Sequence, residues 1–368
     1  MEDREIQKNT LTRLDLWARR VWPYILAGIA IVLLALYLLI RMAVANGSNT
    51  TTNASSQSST TTTTSTAAVD ITARHLDGIK VDPQSVALQP YAVMVETFKD
   101  ARPMSGTAKA NLVIEAPVEG GITRLMAVFD ASTTVEKIGP VRSARPYFVE
   151  LAKALNAVYA HVGGSPDALN RIAGLGDFRN LDEMANGSYF WRDTDRSAPH
   201  NVYIKTEFLL KALASKKWKT GTVASWVYEE SSTGTKPGDV LKIAIPYGGD
   251  YTVNWTFDPL NDAYLRNMGG KQHFDSDGTR VMSTNVLVLL TDQRVLDDVG
   301  RLSVRTAGTG KAILYNHGFA QEAQWVRDSG SFYRIQTPDG RPVVFARGTT
   351  WIEIVTSANM MPSVKPTL

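Results

Sequence analysis

The chain of 368 residues contains no cysteine. That absence excludes disulfides, thiolate metal sites, a cysteine nucleophile and a lipid-modified N-terminal cysteine. An excess of one charge is missing as well: 39 Lys and Arg stand against 36 Asp and Glu, a net charge of +3. Basic residues scattered among acidic ones argue against a broad nucleic-acid-binding face, leaving room only for a local patch, and no nucleic-acid partner is expected. There is no phosphate-binding P-loop, no Gly-x-Gly-x-x-Gly fingerprint and no His-Glu-x-x-His pair, so no nucleotide cofactor and no metal is expected. No repeat of fixed period is present, which argues against solenoids and propellers. What remains, at 44% hydrophobic and 20% charged residues, is ordinary globular composition with enough chain for one large or two medium domains.

One long apolar run stands out from this background. Val21 to Ile40 carries no charged residue, and as a helix it would span about 30 Å, the thickness of a bilayer's hydrocarbon core. Arg19, Arg20 and Arg41 flank it, while Trp17, Trp22, Tyr24 and Tyr37 suit the interfaces. Ala43-Val44-Ala45 offers a small-x-small cleavage site, but the run is longer than a signal-peptide core. The expectation is therefore a retained transmembrane helix over 21–41, with the lipid bilayer as its partner. Arg4, Lys8, Arg13, Arg19 and Arg20 precede it, and no basic residue follows Arg41 until Arg74. Positive charge stays inside, so 1–20 is read as a cytoplasmic tail and everything beyond the helix as extracytoplasmic. Residues 42–76, almost wholly Ser, Thr and Asn from Asn46 to Ala68, read as a flexible stalk.

Beyond the stalk two textures follow. Over 77–221, strand-like runs (Tyr91–Val95, Ile122–Phe129, Ala157–Val162) alternate with helical ones opening at Pro146 and at Ser165-Pro166, which predicts an α/β domain. Over 222–358, strand candidates at 240–245, 251–255, 285–290, 311–315 and 351–355 are punctuated by Asp277-Gly278 and Asp339-Gly340 turns. This predicts a mainly antiparallel β domain, followed by a tail over 359–368. The aromatics Trp255, Trp325, Phe332, Tyr333 and Trp351 fall at strand positions and are read as core rather than as a glycan platform.

Polar chemistry concentrates between Glu115 and His200, at turn-like positions adjoining apolar runs. Glu115, Glu119, Arg124, Arg142 and Arg145 form the first part of the candidate set. His161, Gly163, Gly164, Ser165, Asp182, Arg196, His200 and Asn201 complete it. The turn at His161–Ser165 before a helix is a place where backbone N–H groups attract anions, or simply a capped helix start. Arg142 and Arg145 are spaced to clamp an anion bidentately, or to pair with Glu115, Glu119 or Asp182. Glu119, with His161 or His200, is the candidate acid–base set. Ser143 and Ser165 are available hydroxyls, but no nucleophile elbow or Ser-x-x-Lys motif surrounds them.

The chain resembles the YerB-like family of candidate bacterial lipoproteins, a domain of unknown function with N-terminal and C-terminal parts. The resemblance is carried by Pro90–Val95, Ala101-Arg-Pro-Met-Ser-Gly106, Val118–Arg124, Lys137-Ile-Gly-Pro-Val-Arg-Ser-Ala-Arg145, His161-Val-Gly-Gly-Ser165, Asn180-Leu-Asp182 and Ala198-Pro-His-Asn201. In the second part it is carried by Asn285-Val286, Gly308-Thr-Gly310 and Gly348–Ile354. The resemblance implies an extracytoplasmic bacterial protein and supplies no activity. The lipoprotein label assumes an anchoring cysteine that this chain lacks. Together the readings point to an envelope protein that binds an anionic ligand, such as a peptidoglycan peptide or a phosphate-bearing polymer. The alternative is a cell-wall hydrolase or transferase using Glu and His, and an envelope protein is a further candidate partner.

Overall fold

Among the described residues, fifteen strands make up the two main sheets. The first half supplies β1 (Pro90–Glu96), β2 (Leu112–Pro117), β3 (Thr123–Asp130), β4 (Val158–His161) and β5 (Asn180–Asp182). Next come β6 (Lys242–Ile245), β7 (Val253–Asp258), β8 (Ala263–Met268), β9 (Lys271–Gln272) and β10 (Met282–Ser283). The last are β11 (Asn285–Leu290), β12 (Gly308–Asn316), β13 (Phe319–Arg327), β14 (Arg334–Gln336) and β15 (Thr350–Val355). The α-helices among the described residues are α1 (Pro146–Ala154), α2 (Pro166–Ala173), α3 (Glu183–Asn186) and α4 (Thr206–Ser215). The structure, a computed structural model, describes residues 72–230, 238–239 and 242–362. The Val21–Ile40 run, the tail before it and the stalk up to residue 71 lie outside the described residues. No helix among the described residues is long and apolar enough to cross a membrane.

The larger sheet has ten strands in the order β14-β13-β12-β11-β15-β2-β3-β1-β4-β5. The sequence reading divides the chain near residue 221, yet strands from both sides of that point share this sheet. The junction is parallel: β15 pairs with β2 on one side and with β11 on the other. The mainly antiparallel texture expected beyond 222 therefore holds for β6 to β10 and β11 to β14, but not at this seam. Both faces of the central strands are buried, which is why β1 and β3 read as near-continuous apolar runs rather than as alternations.

Each face has its own core. On one, Ala92 and Met94 of β1 pack with Phe148 and Leu151 of α1 and Ala168 of α2. On the other, Val93 and Val95 pack with Leu209 of α4 and with Ile243, Trp255 and Tyr264 of the second sheet. That second sheet runs β9-β8-β7-β6, with β10 paired to β8. Trp255, Trp325, Tyr333 and Trp351 are buried, as core residues should be. The helix starts follow their sequence signals: Pro146 and Pro166 open α1 and α2, and the Ser165 hydroxyl accepts from Ala168 N. Ala73 and Leu76, counted in the stalk on composition, are buried against the folded part, and Arg74 pairs with Asp77 and Asp130.

The hairpin between β12 and β13 turns at His317 and Gly318, with φ of 50° and 75°. His317 is wedged between two carboxylates, Nε2 at 2.9 Å from Glu229 and Nδ1 at 2.7 Å from Asp262. Burial opposes its charge, but the hydrogen bonds to Glu229 and Asp262 outweigh burial and raise its pKa. A raised folded pKa contributes stability in full below the unfolded histidine value of about 6.5 and loses it as pH rises through the folded value. His317→Asn tolerates the left-handed backbone and removes the charge. The gap in melting temperature between native chain and variant is expected to be largest near pH 6 and to shrink at higher pH. A pH-independent gap would contradict the linkage.

Candidate functional site

Because β1, β2, β4, β5, β11 and β15 all run the same way, their C-terminal ends share one edge of the sheet. Crevices outside such ends are where open α/β sheets bind ligands. Most of the residues singled out in the sequence arrive here. The segment Val141–Arg145 lies between the end of β1 and the turn after β4. Arg142 N donates to Met94 O, Val162 N to Arg142 O and Ala144 N to Gly163 O.

The charges at this edge are mostly matched from within. The Glu96 carboxylate, buried at the end of β1, accepts from Arg142 Nε at 2.9 Å and faces His200 Nδ1 at 2.8 Å. His200 also stacks on Phe98 with ring centroids 5.4 Å apart. Arg145 grips Glu119 through two hydrogen bonds and donates a third to Ala144 O. Arg124, opposite Glu96 in the β1–β3 register, donates to Ser143 O at 2.8 Å. Burial, with the Arg142 charge nearby, pulls the Arg124 pKa down.

The turn after β4 is organised the same way. His161 is fully buried, with Nδ1 2.7 Å from Gly163 O and Nε2 2.6 Å from Asn180 Oδ1. An arginine-free pair of acceptors around one imidazole is satisfied when the Asn180 amide turns its NH₂ toward Nε2. Asp182 takes the Gly163 N–H at 2.8 Å and the Met184 N–H at 3.2 Å, while Ser165 caps α2. The acceptors an anion would bring to this turn are thus already supplied by Asp182 and Ser165. Gly163 has φ of 56° and open space where a side chain would project, whereas Gly164 packs against Ala144 and Leu169. Arg196 and Asn201 lie further out: Arg196 holds Ala101 O and Pro103 O, and Asn201 accepts from Arg192.

Glu115 is not at the edge. It is completely buried on the face toward the second sheet, where it accepts from Thr123 Oγ1 at 2.6 Å and Arg266 Nη2 at 2.5 Å. Its register partner across the β2–β15 seam is Glu353, also fully buried. Glu353 is bonded to Trp255 Nε1 at 2.9 Å and to the Tyr247 hydroxyl at 3.0 Å. Burial, then the Glu115 charge, pushes Glu353 up to about 8, so near neutrality it is a protonated acid. The Tyr247 hydroxyl can in turn donate a hydrogen bond to Ile354 O, 3.1 Å away. Arg266 lies 4.7 Å over the Trp351 ring and donates to His273 Nδ1 at 2.8 Å. Sequence reasoning missed Glu96, Glu353, Arg266 and His273. The one available signal was a charged residue interrupting an apolar strand run, as Glu353 does in Trp-Ile-Glu-Ile-Val.

The fold and this edge define a two-part extended-sheet protein with ion-paired residues along the C-terminal edge of its sheet. Two family models match it: the N-terminal domain of a protein of unknown function (DUF3048) over residues 76–219, and the C-terminal domain of the same family over residues 243–352. The chain belongs to that family. It is 32% identical over 285 residues to YerB of Bacillus subtilis (strain 168), a candidate lipoprotein by its name, covering 76% of this chain and 85% of that one. The crystal structure of the Bacillus subtilis YerB protein is similar to it, with a TM-score of 0.70 and 30% identity, over 78% of this chain and 97% of that chain.

The buried network makes two predictions for denaturant unfolding followed by tryptophan fluorescence. Arg266→Met should cost about 3–5 kcal/mol, because it strands Glu115 without its cation, and adding Glu115→Gln should recover part of the loss. Equal losses in the single and double variants would count against an ion pair. Glu353 keeps its proton in the native state up to about 8, whereas the unfolded chain releases it near pH 4.3. Stability should therefore fall as pH rises through that window, and Glu353→Gln should abolish the fall. An unchanged pH profile in that variant would contradict the assignment.

Proposed function

We propose that the chain is a membrane-tethered, extracytoplasmic protein of the bacterial cell envelope that binds an anionic envelope ligand. Val21–Ile40 and its basic N-terminal flank support the tether and its orientation. The name of the Bacillus relative, a candidate lipoprotein, agrees with a membrane-attached location. Binding is favoured over catalysis by one observation above the others: His161 is sealed from solvent with both ring nitrogens committed. A general base must reach the proton it takes. Glu119, its proposed partner, is held by Arg145. Arg142 remains partly open, with 26% of its side chain exposed, beside the open face of Gly163.

A second reading rests on His200. Its Nδ1 is oriented by the buried Glu96 carboxylate, the arrangement that positions a histidine for acid–base work. That would make the chain a wall hydrolase or transferase with His200 in place of His161. Incubating the full chain in detergent micelles with purified cell wall separates the two readings. Binding predicts co-sedimentation with no new soluble products, weakened severalfold by Arg142→Ala. Release of muropeptides that disappears in His200→Ala and Glu96→Gln would replace binding with catalysis. A chain that stays wholly in the supernatant and releases nothing would contradict both.

A further inference from the structure

A cavity of about 430 Å³ lies between the segment after β1 and the β8–β9 hairpin. Its size is that of a small-molecule site. Lys99, Arg102 and Lys271 line it, with Asp250 as the one lining carboxylate, and His273 forms part of its wall. None of the three cations ends on a carboxylate of the described residues. The walls are built rather than incidental. Asp275 accepts from Thr107 Oγ1 at 2.6 Å and Ala108 N at 2.8 Å, and Ser276 N donates to Met104 O at 2.7 Å. Arg196 pins the other side through Ala101 O and Pro103 O.

Behind this wall two donors, both closed off from solvent, lack acceptors among the described residues. His273 is 5% exposed, and its Nδ1 faces Arg266, a group that can only donate. Nδ1 must therefore accept, which puts the ring proton on Nε2, and Nε2 has no partner among the described residues. Arg102 spends Nε on Thr97 O at 2.9 Å and stacks 5.1 Å over Tyr251, while its buried Nη2 is likewise unpartnered. A buried donor left unpaired costs about 1–3 kcal/mol, so such groups are rarely left without an acceptor.

We infer that this cavity binds the phosphate group of a phosphorylated sugar or polyol, with the cations Lys99, Arg102 and Lys271 as its donors. Three cationic side chains around one cavity suit a multiply charged oxyanion with several acceptor oxygens better than a singly charged carboxylate. The lining carries three cations against one carboxylate, a balance suited to a dianion. Asp250 is then left to accept from a hydroxyl of the organic part, and Met104, Met268 and Phe274 give it an apolar wall. The inference goes beyond the binding reading above by adding a second site, distinct from Arg142, with its own ligand class, and it takes from that reading only the envelope as the ligand's source.

Isothermal titration of the full chain in detergent micelles with glycerol 3-phosphate, inorganic phosphate and acetate tests it. Saturable binding of glycerol 3-phosphate is expected, weaker binding of phosphate, and none of acetate. Lys271→Glu, an exposed change that leaves the fold alone, and Arg102→Gln should each weaken binding at least tenfold. Absence of phosphate binding by the folded chain, or binding unaffected by Lys271→Glu, would overturn the inference. Tighter binding of acetate than of either phosphate would overturn the choice of oxyanion. The wall-sedimentation assay keeps the two proposals apart. Sedimentation without phosphate binding leaves the binding reading and removes this site, and phosphate binding without sedimentation does the reverse.

Discussion

The structure depends on one constraint: two carboxylates, Glu115 and Glu353, face each other across a parallel seam in the middle of a sheet, fully buried. Like charges so placed cannot both ionise without a large penalty. The protein resolves this by giving Glu115 a guanidinium and leaving Glu353 with its proton. The guanidinium belongs to Arg266 on the second sheet, and the indole that holds Glu353 belongs to Trp255 on the same sheet. Satisfying the seam therefore requires the second sheet to dock in one position. The parts before and after residue 221 are joined by a buried polar cluster of Glu115, Glu353, Arg266 and Trp255. Apolar burial alone would give cohesion without that registration.

Docking has a consequence for chemistry. It brings the β8–β9 hairpin against the loop after β1, and Arg266 fixes the tautomer of His273 where the two meet. The basic cavity is thus produced by the same cluster that fixes the sheets. The sheet edge behaves differently. Its arginines, carboxylates and histidines close on one another, so Glu119–Arg145 and His161–Asn180 read as fastenings that hold the turns after β2 and β4. Glu96, Arg142 and His200 form a constellation there that keeps an open side.

Local signals carried much of the fold. The run Asn285–Leu290 is a strand with the bounds its composition suggests, and Ser165 and Pro166 open a helix as their chemistry dictates. These features depend on residues within a few positions of one another. The parallel seam was not legible, because pairing of β2 with β15 joins positions more than two hundred residues apart and leaves no periodic trace. For the same reason Glu115 was legible as important but misplaced: a charge in an apolar strand marks a buried partner or a site, and only the far-off Arg266 decides between them. The cavity was invisible for a related reason. Lys99, Arg102, Lys271 and His273 form two unremarkable local clusters until the second sheet brings them together.

Hydrogen exchange of the full chain, followed by mass spectrometry with and without glycerol 3-phosphate, tests this account most directly. Peptides from β2 and β15 should open with a common free energy, and the phosphate should protect residues 99–104 and 268–274 together. Separate opening energies for the two strands, or protection at neither segment, would contradict it.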